Sequence, residues 1–107
     1  MRRPIVVKLG TSLVAGPGGR VRRRLLRARA HEIGELVRGA RPVVVVSSGA
    51  IALGAPRLGF ARRPATTMGR LQAASAVGQA QLQQAWETAF RRVGLQDRKS
   101  TRLNSSH

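Results

Sequence analysis

Cysteine is absent from this 107-residue chain. Disulfide frameworks, thiolate zinc sites and thiol catalysis are therefore excluded. Tyrosine is absent as well, and one Trp and two Phe bring the aromatics to only 3%. A core has to be built from Val, Leu, Ile and Ala, and the stacking platforms that hold unpaired bases are almost missing. Acidic residues number 4 against 20 basic ones. Glu32, Glu35 and Glu87 read as helix-surface residues, so no carboxylate pair offers itself for acid–base work or for magnesium. Residues 43–46 form the longest apolar run, far short of a membrane span. Lys8 and Gly10 break the apolar stretch behind Met1, so no secretory leader is visible, and the expected location is the cytoplasm.

What the chain does have is 42% hydrophobic residues, enough for a core and too many for a disordered segment. Its length allows one small domain, or part of a larger one. The formal charge of +16 first suggests a nucleic-acid partner. Yet the excess is carried by Arg, and Lys8 and Lys99 are the only lysines. Arg, Ala and Gly share GC-rich codons, so a GC-rich genome produces this bias without selection for a polyanion. Compositional bias is the favoured reading, with a basic nucleic-acid-binding module as the alternative.

Residues 97–107 lack apolar periodicity, and Leu103 is their only large apolar residue. Read codon by codon, Asp-Arg-Lys-Ser-Thr-Arg-Leu-Asn-Ser-Ser-His is also an in-frame translation of a common sequencing-adapter oligonucleotide. The expectation is a non-native tail behind a reading frame cut at Gln96, with residues 1–96 forming the N-terminal part of a longer domain. Without the tail, Lys8 is the sole lysine.

Pro4-Ile5-Val6-Val7-Lys8-Leu9 is β-branched and bounded by Pro and Gly, a strand pattern. Gly10-Thr11-Ser12 turns the chain, and residues 16–19 form a Gly/Pro loop. Residues 21–38 read as helical, with apolar positions recurring at helical spacing (Val21, Leu25, Ala28, Ile33, Leu36, Val37 and Ala40), Arg29–Glu32 and Glu35–Arg38 as candidate pairs and Gly39 as the stop. Residues 42–46 give a second strand, apolar on both faces as a parallel strand between helix layers would be. Residues 50–53 start another helical turn, and residues 54–64 read as irregular. Residues 67–93 carry the longest helical stripe, through Met68, Leu71, Ser75, Gly78, Leu82, Trp86, Ala89 and Val93. Thr66 or Thr67 offers a cap, Glu87–Arg91 a pair and Gly94 a stop. The order strand, helix, strand, helix, helix predicts an α/β fold with a mostly parallel sheet, seen in part.

Ligands in such sheets bind at the carboxyl ends of the strands. Two turns of small residues fall there: Lys8-Leu9-Gly10-Thr11-Ser12, and Ser47-Ser48-Gly49-Ala50. Glycine admits a phosphate or carboxylate close to the backbone, and N–H groups at a helix start face the anion. Lys8 supports two readings, a snorkelling strand-end lysine or a point charge for a transferring phosphoryl group. A chain that uses Arg almost everywhere but keeps one Lys at this turn favours the second, since the two cations are not interchangeable. Ser48 is either a helix cap or a ligand group. Residues 49–54 lack the Lys-Ser/Thr of a P-loop, and no Gly-x-Ser-x-Gly elbow is present. His31 reads as solvated, the Trp86/Leu82 stripe as packing, and Arg22-Arg23-Arg24 as a solvated helix start.

These two turns resemble the glutamate 5-kinase branch of the amino acid kinase family. The resemblance rests on Val7-Lys8-Leu9-Gly10-Thr11-Ser12 and on residues 45–54. It continues through Leu58-Gly59, Arg63-Pro64 and residues 72–79, and closes with residues 86–90 and Gly94-Leu95. It implies an αβα sandwich and ATP-dependent phosphorylation of the γ-carboxylate of L-glutamate, the first step of proline biosynthesis, with Mg2+ and a homo-oligomeric full-length protein. It implies that Lys8 is the catalytic and ATP-phosphate lysine, that Gly10, Thr11 and Ser12 form the phosphate-side turn, and that Ser48, Gly49 and Ala50 bind substrate. No metal ligand is expected in this chain, nor any membrane partner. Another kinase of the fold, acting on acetylglutamate, aspartate or a nucleotide, is the second reading. The resemblance leaves most of the family's later residues without a counterpart, so the chain alone is expected to be inactive.

Overall fold

The computed structural model describes residues 3–59 and 68–95, and the backbone of residues 101–105. The first strand, β1 (Ile5–Leu9), pairs in parallel with β2 (Val43–Ser47), Lys8 opposite Val46 and Leu9 opposite Ser47. Parallel neighbours need a crossover. It is made by the short helix α1 (Thr11–Val14), a 3-10 turn at Pro17–Gly19 and the long helix α2 (Arg23–Arg38). After β2 come α3 (Ala50–Arg57) and α4 (Met68–Arg92).

Pleating sorts the two strands into faces. Leu9, Val43, Val45 and Ser47 are buried against α2 and α4. Lys8 is exposed, Val6 is 57% exposed, and Val44 and Val46 are half-buried. The expectation that β2 is buried on both faces is thus corrected. Its open face is the one turned away from α2 and α4, both of which pack on the opposite side.

Helix α2 buries Leu26, Ala30, Ile33 and Gly34, whereas Ala28, placed on its apolar stripe from sequence, is exposed. Leu26, Ala30, Ile33 and Val37 follow the 3.6-residue period more closely than a stripe begun at Leu25. The pairs Arg29–Glu32 (2.8 Å) and Arg38–Glu35 (3.3 Å) both form on its surface. Gly39 does not supply the left-handed stop. Ala40 does, at φ 65°, with its N–H on Val37 and the Arg41 N–H on Leu36. Helix α4 ends in the same double closure: Gly94 at φ 83°, with its N–H on Arg91 and the Leu95 N–H on Phe90. Arg38 joins the two ends by donating to the Val93 carbonyl.

The core gathers Leu9, Val14, Leu26, Ile33, Val43, Val45, Leu53, Leu82, Trp86 and Phe90. Trp86 is 1% exposed, stacks on Phe90 at 5.3 Å, and donates its indole N–H to Ser47 Oγ at 3.2 Å. Its stripe on α4 is packing, as read from sequence, although Met68 at its start is exposed. The proposed caps Thr66 and Thr67 lie outside the described residues. Glu87, expected to pair with Arg91, accepts a bond from Gln83.

The structure adds two things that sequence did not indicate. Helix α3 runs past Gly54 to Arg57 instead of breaking into a loop. It does so because its backbone lies directly on α4: a β-carbon at Gly54 would fall 1.8 Å from the Ala74 carbonyl oxygen, and one at Gly78 would fall 1.6 Å from that of Ala50. The backbone of residues 101–105, given no element from sequence, forms β3 (Thr101–Ser105), parallel to β2 along its other edge. Main-chain groups on a sheet edge accept any extended segment, so side-chain periodicity is a poor guide to such a strand.

Candidate functional site

The two small-residue turns leave adjacent parallel strands at the same end of the sheet. The last rung of the ladder is the Ser48 N–H on the Leu9 carbonyl, at 2.9 Å. Beyond it β1 turns through Gly10 into α1, and β2 turns through Ser48-Gly49 into α3. Strand alternation puts Lys8, Val46 and Ser48 on the open face, with the α-carbons of Lys8 and Ser48 about 8 Å apart by strand spacing and rise. The turns also touch at Gly49. The β-carbon position of Gly49 is 3.6 Å from Thr11 Cα and 3.7 Å from Val14 Cβ. Gly49 is itself at φ 109°, a backbone that L side chains rarely adopt, and it forms the N-cap of α3.

The glycine of the first turn is a different case. Gly10 has φ −74° and ψ 169°, open to any residue, and a β-carbon there meets nothing within 4 Å. Among the described residues nothing requires glycine at this position; it leaves an uncovered stretch of backbone beside the exposed Lys8. Thr11 and Ser12 are exposed on the following turn, while Ala50 is fully buried under α4. Of the sequence-selected residues, Lys8, Gly10, Thr11 and Ser12 therefore lie at the surface, with Ser48 half-buried and Gly49 buried on the neighbouring turn. Ala50 stands behind them as a packing residue whose carbonyl meets Gly78.

Sequence reasoning missed Arg22. Read as a solvated helix start, it donates from Nε to the Ser12 carbonyl at 2.9 Å, and its stem lies 3.7 Å from the β-carbon position of Gly16. The available signal was an Arg where helices favour Ser, Thr, Asp or Asn. Ser47 was read as part of the ligand-side turn that ends the strand, yet it is buried and accepts from Trp86.

The charge at these turns is positive. Glu32 and Glu35 are engaged by Arg29 and Arg38 on the outer surface of α2, and Glu87 faces Gln83 on α4. No group of three or more His, Cys, Asp or Glu that could hold a metal ion occurs among the described residues. The donor set therefore does not fit Mg2+, which asks for carboxylate oxygens. It fits an anion: one ammonium, the three hydroxyls of Thr11, Ser12 and Ser48, and accessible backbone. Among the described residues no helix is long and apolar enough to cross a membrane. A 370 Å3 groove between α3 and α4 is lined by Ile51, which follows Ala50 in sequence, and by Met68, Leu71, Gln72, Ser75, Ala76 and Gln79.

Comparison with known proteins gives a consistent picture. The model of the amino acid kinase family matches residues 3–106. The glutamate 5-kinase of Chromobacterium violaceum is 52% identical over 91 residues, 85% of this chain and 24% of the relative. That of Azoarcus sp. strain BH72 is 48% identical over 94 residues, 88% of this chain and 25% of the relative. That of Sphingopyxis alaskensis is 46% identical over 91 residues, again 85% and 25%. The chain thus spans about a quarter of the length of the curated relatives it matches.

Proposed function

Starting from the fact that this chain belongs to the amino acid kinase family, we propose that it supplies the phosphate-side and acceptor-side turns of a glutamate 5-kinase. The reaction is transfer of the γ-phosphoryl group of ATP to the γ-carboxylate of L-glutamate. We further propose that it occurs in a longer polypeptide whose frame continues beyond Gln96, residues 97–107 being a non-native tail. The observation that carries the reading is the contact between Gly49 and Thr11, which seats the two turns side by side.

The chemistry asks little else of this segment. The acceptor carboxylate is ionised near neutral pH, so no strong base is needed. Its oxygen attacks the γ-phosphorus, the bond to the β–γ bridging oxygen breaks, and ADP departs with that electron pair. Both reactants are anions, so catalysis rests on neutralising charge and on alignment. In this reading Lys8 places its ammonium on the transferring group. The uncovered backbone at Gly10, with the hydroxyls of Thr11 and Ser12, cradles phosphate oxygens. Ser48, presented by the left-handed Gly49 with Ala50 behind it, binds the amino acid. Magnesium ligands are assigned to no residue of this chain. The second kinase reading, on another acid or a nucleotide, is disfavoured by the glutamate 5-kinase relatives matching at 46–52% identity.

The test is formation of glutamyl phosphate, trapped by hydroxylamine as the hydroxamate. The full-length protein is expected to form it from ATP and glutamate, and the 107-residue chain alone to form none. Lys8→Met in the full-length protein is expected to lower kcat by about 100-fold or more, the scale of losing one charge-stabilising group. Hydroxamate formed with aspartate or acetylglutamate instead of glutamate would overturn the substrate assignment.

A further inference from the structure

Arg22 sits where the rules of helix starts disfavour it. It is the N-cap of α2, makes no capping bond through its side chain, and is followed by Arg23 and Arg24 with no acid in the first turn. A guanidinium cannot accept from the free N–H groups of a helix start, and its charge opposes the positive end of the dipole. Residues that break a local rule tend to be retained for something else.

The other task is visible one element away. Helix α1 has four residues, too few to hold itself. Its Thr11 carbonyl is taken by the Ala15 N–H at 2.8 Å. Arg22 then closes two more: its backbone N–H donates to Val14 at 2.8 Å and its side-chain Nε to Ser12 at 2.9 Å. A bridge between Ala15 and Val21 and the Gly16 N–H on Arg20, at 2.7 Å, fold the intervening loop so that this reach is short. Beyond the turn's own bonds from Leu13 to Gly10 and from Ala15 to Thr11, Arg22 thus fastens the segment that presents Gly10, Thr11 and Ser12 at two points from behind.

We infer that Arg22 is a positioning residue that holds the Gly10–Ser12 turn in register with Lys8 and so sets the affinity for the phosphate-bearing substrate. The inference rests on the kinase reading above. It is separable from a general role in stability, because Asn at position 22 is among the best N-caps and would help α2 while releasing Ser12.

The experiment compares Arg22→Asn and Arg22→Lys with the unsubstituted full-length protein. Arg22→Asn is expected to keep or raise Tm, to raise the KM for ATP about 10-fold or more, and to leave the KM for glutamate within about twofold, since sub-ångström misplacement is felt mainly by the misplaced partner. Amide exchange at residues 11–14 is expected to quicken. Arg22→Lys keeps charge without the planar fork and is expected to fall between, at about threefold in the KM for ATP. Should Arg22→Asn not fold, Arg22→Lys decides by the same measure. An unchanged KM for ATP in the variants, with normal turnover in the unsubstituted protein, overturns this inference alone. Absence of glutamate-dependent turnover in the unsubstituted protein overturns the kinase reading and the inference with it.

Discussion

Gly10 and Ala40 make opposite points about single residues. At Gly10 the backbone suits any residue and no neighbour lies within 4 Å of a β-carbon. Gly10→Ala is therefore expected to leave the stability of the full-length protein within about 1 kcal/mol of the original, the lost Gly cap and the reduced chain entropy roughly offsetting. The KM for ATP is expected to rise at least about 10-fold, because an added methyl would stand where phosphate oxygens approach. Steady-state kinetics with a thermal melt on the same sample checks both halves, and an unchanged KM would remove Gly10 from the phosphate turn. Ala40 is the reverse, a side-chain-bearing residue held at φ 65° to close α2 while glycine stands uselessly one position earlier. Ala40→Gly is expected to stabilise by about 0.5–1 kcal/mol, read as a higher urea midpoint at constant slope. Lys8 stands out in sequence against a background of arginines, and its exposed place near the end of β1 was legible there. Arg22 was not, because among three consecutive arginines nothing local distinguishes the one whose Nε reaches a carbonyl ten positions back.

Elements were legible where their pattern is local and fail where a neighbour decides. Both predicted strands, the crossover helix and the long terminal helix lie where β-branching and periodicity put them. Helix α3 was cut short on paper because Gly54 and Pro56 are local breakers. In the structure Gly54 is instead the point at which α4 comes close enough to support the helix. Gly54 and Gly78, which fall in two of the stretches that carry the family resemblance, are thus spacers between two backbones, and they bear on the site by fixing the helix that Gly49 opens. Gly78→Ala is expected to cost more than about 3 kcal/mol, since its methyl would lie 1.6 Å from the Ala50 oxygen with backbone on both sides. The exposed control Ala73→Gly is expected to cost about 1 kcal/mol. Equal thermal midpoints for the two variants would show that the helices can part at no cost. Trp86→Phe keeps most of the packing and removes the bond to buried Ser47, for an expected loss of about 1–3 kcal/mol in urea unfolding.

At the scale of the whole molecule, one sheet face is packed and the other is not. Val6, Val44 and Val46 line the open side around Lys8, and the composition alone did not reveal this, because a strand of four valines reads the same whether one or both faces are covered. The 107-residue chain on its own is expected to bind the dye ANS and to self-associate at micromolar concentration, and a full-length protein not to bind the dye. A monomeric, dye-silent fragment in analytical ultracentrifugation would contradict that. The incompletely covered valines also bear on the fate of such a product in a cell. A ribosome that stopped here would release a polypeptide bearing a surface that chaperones hold and proteases clear, so quality control rather than enzymology would set how much of it persists.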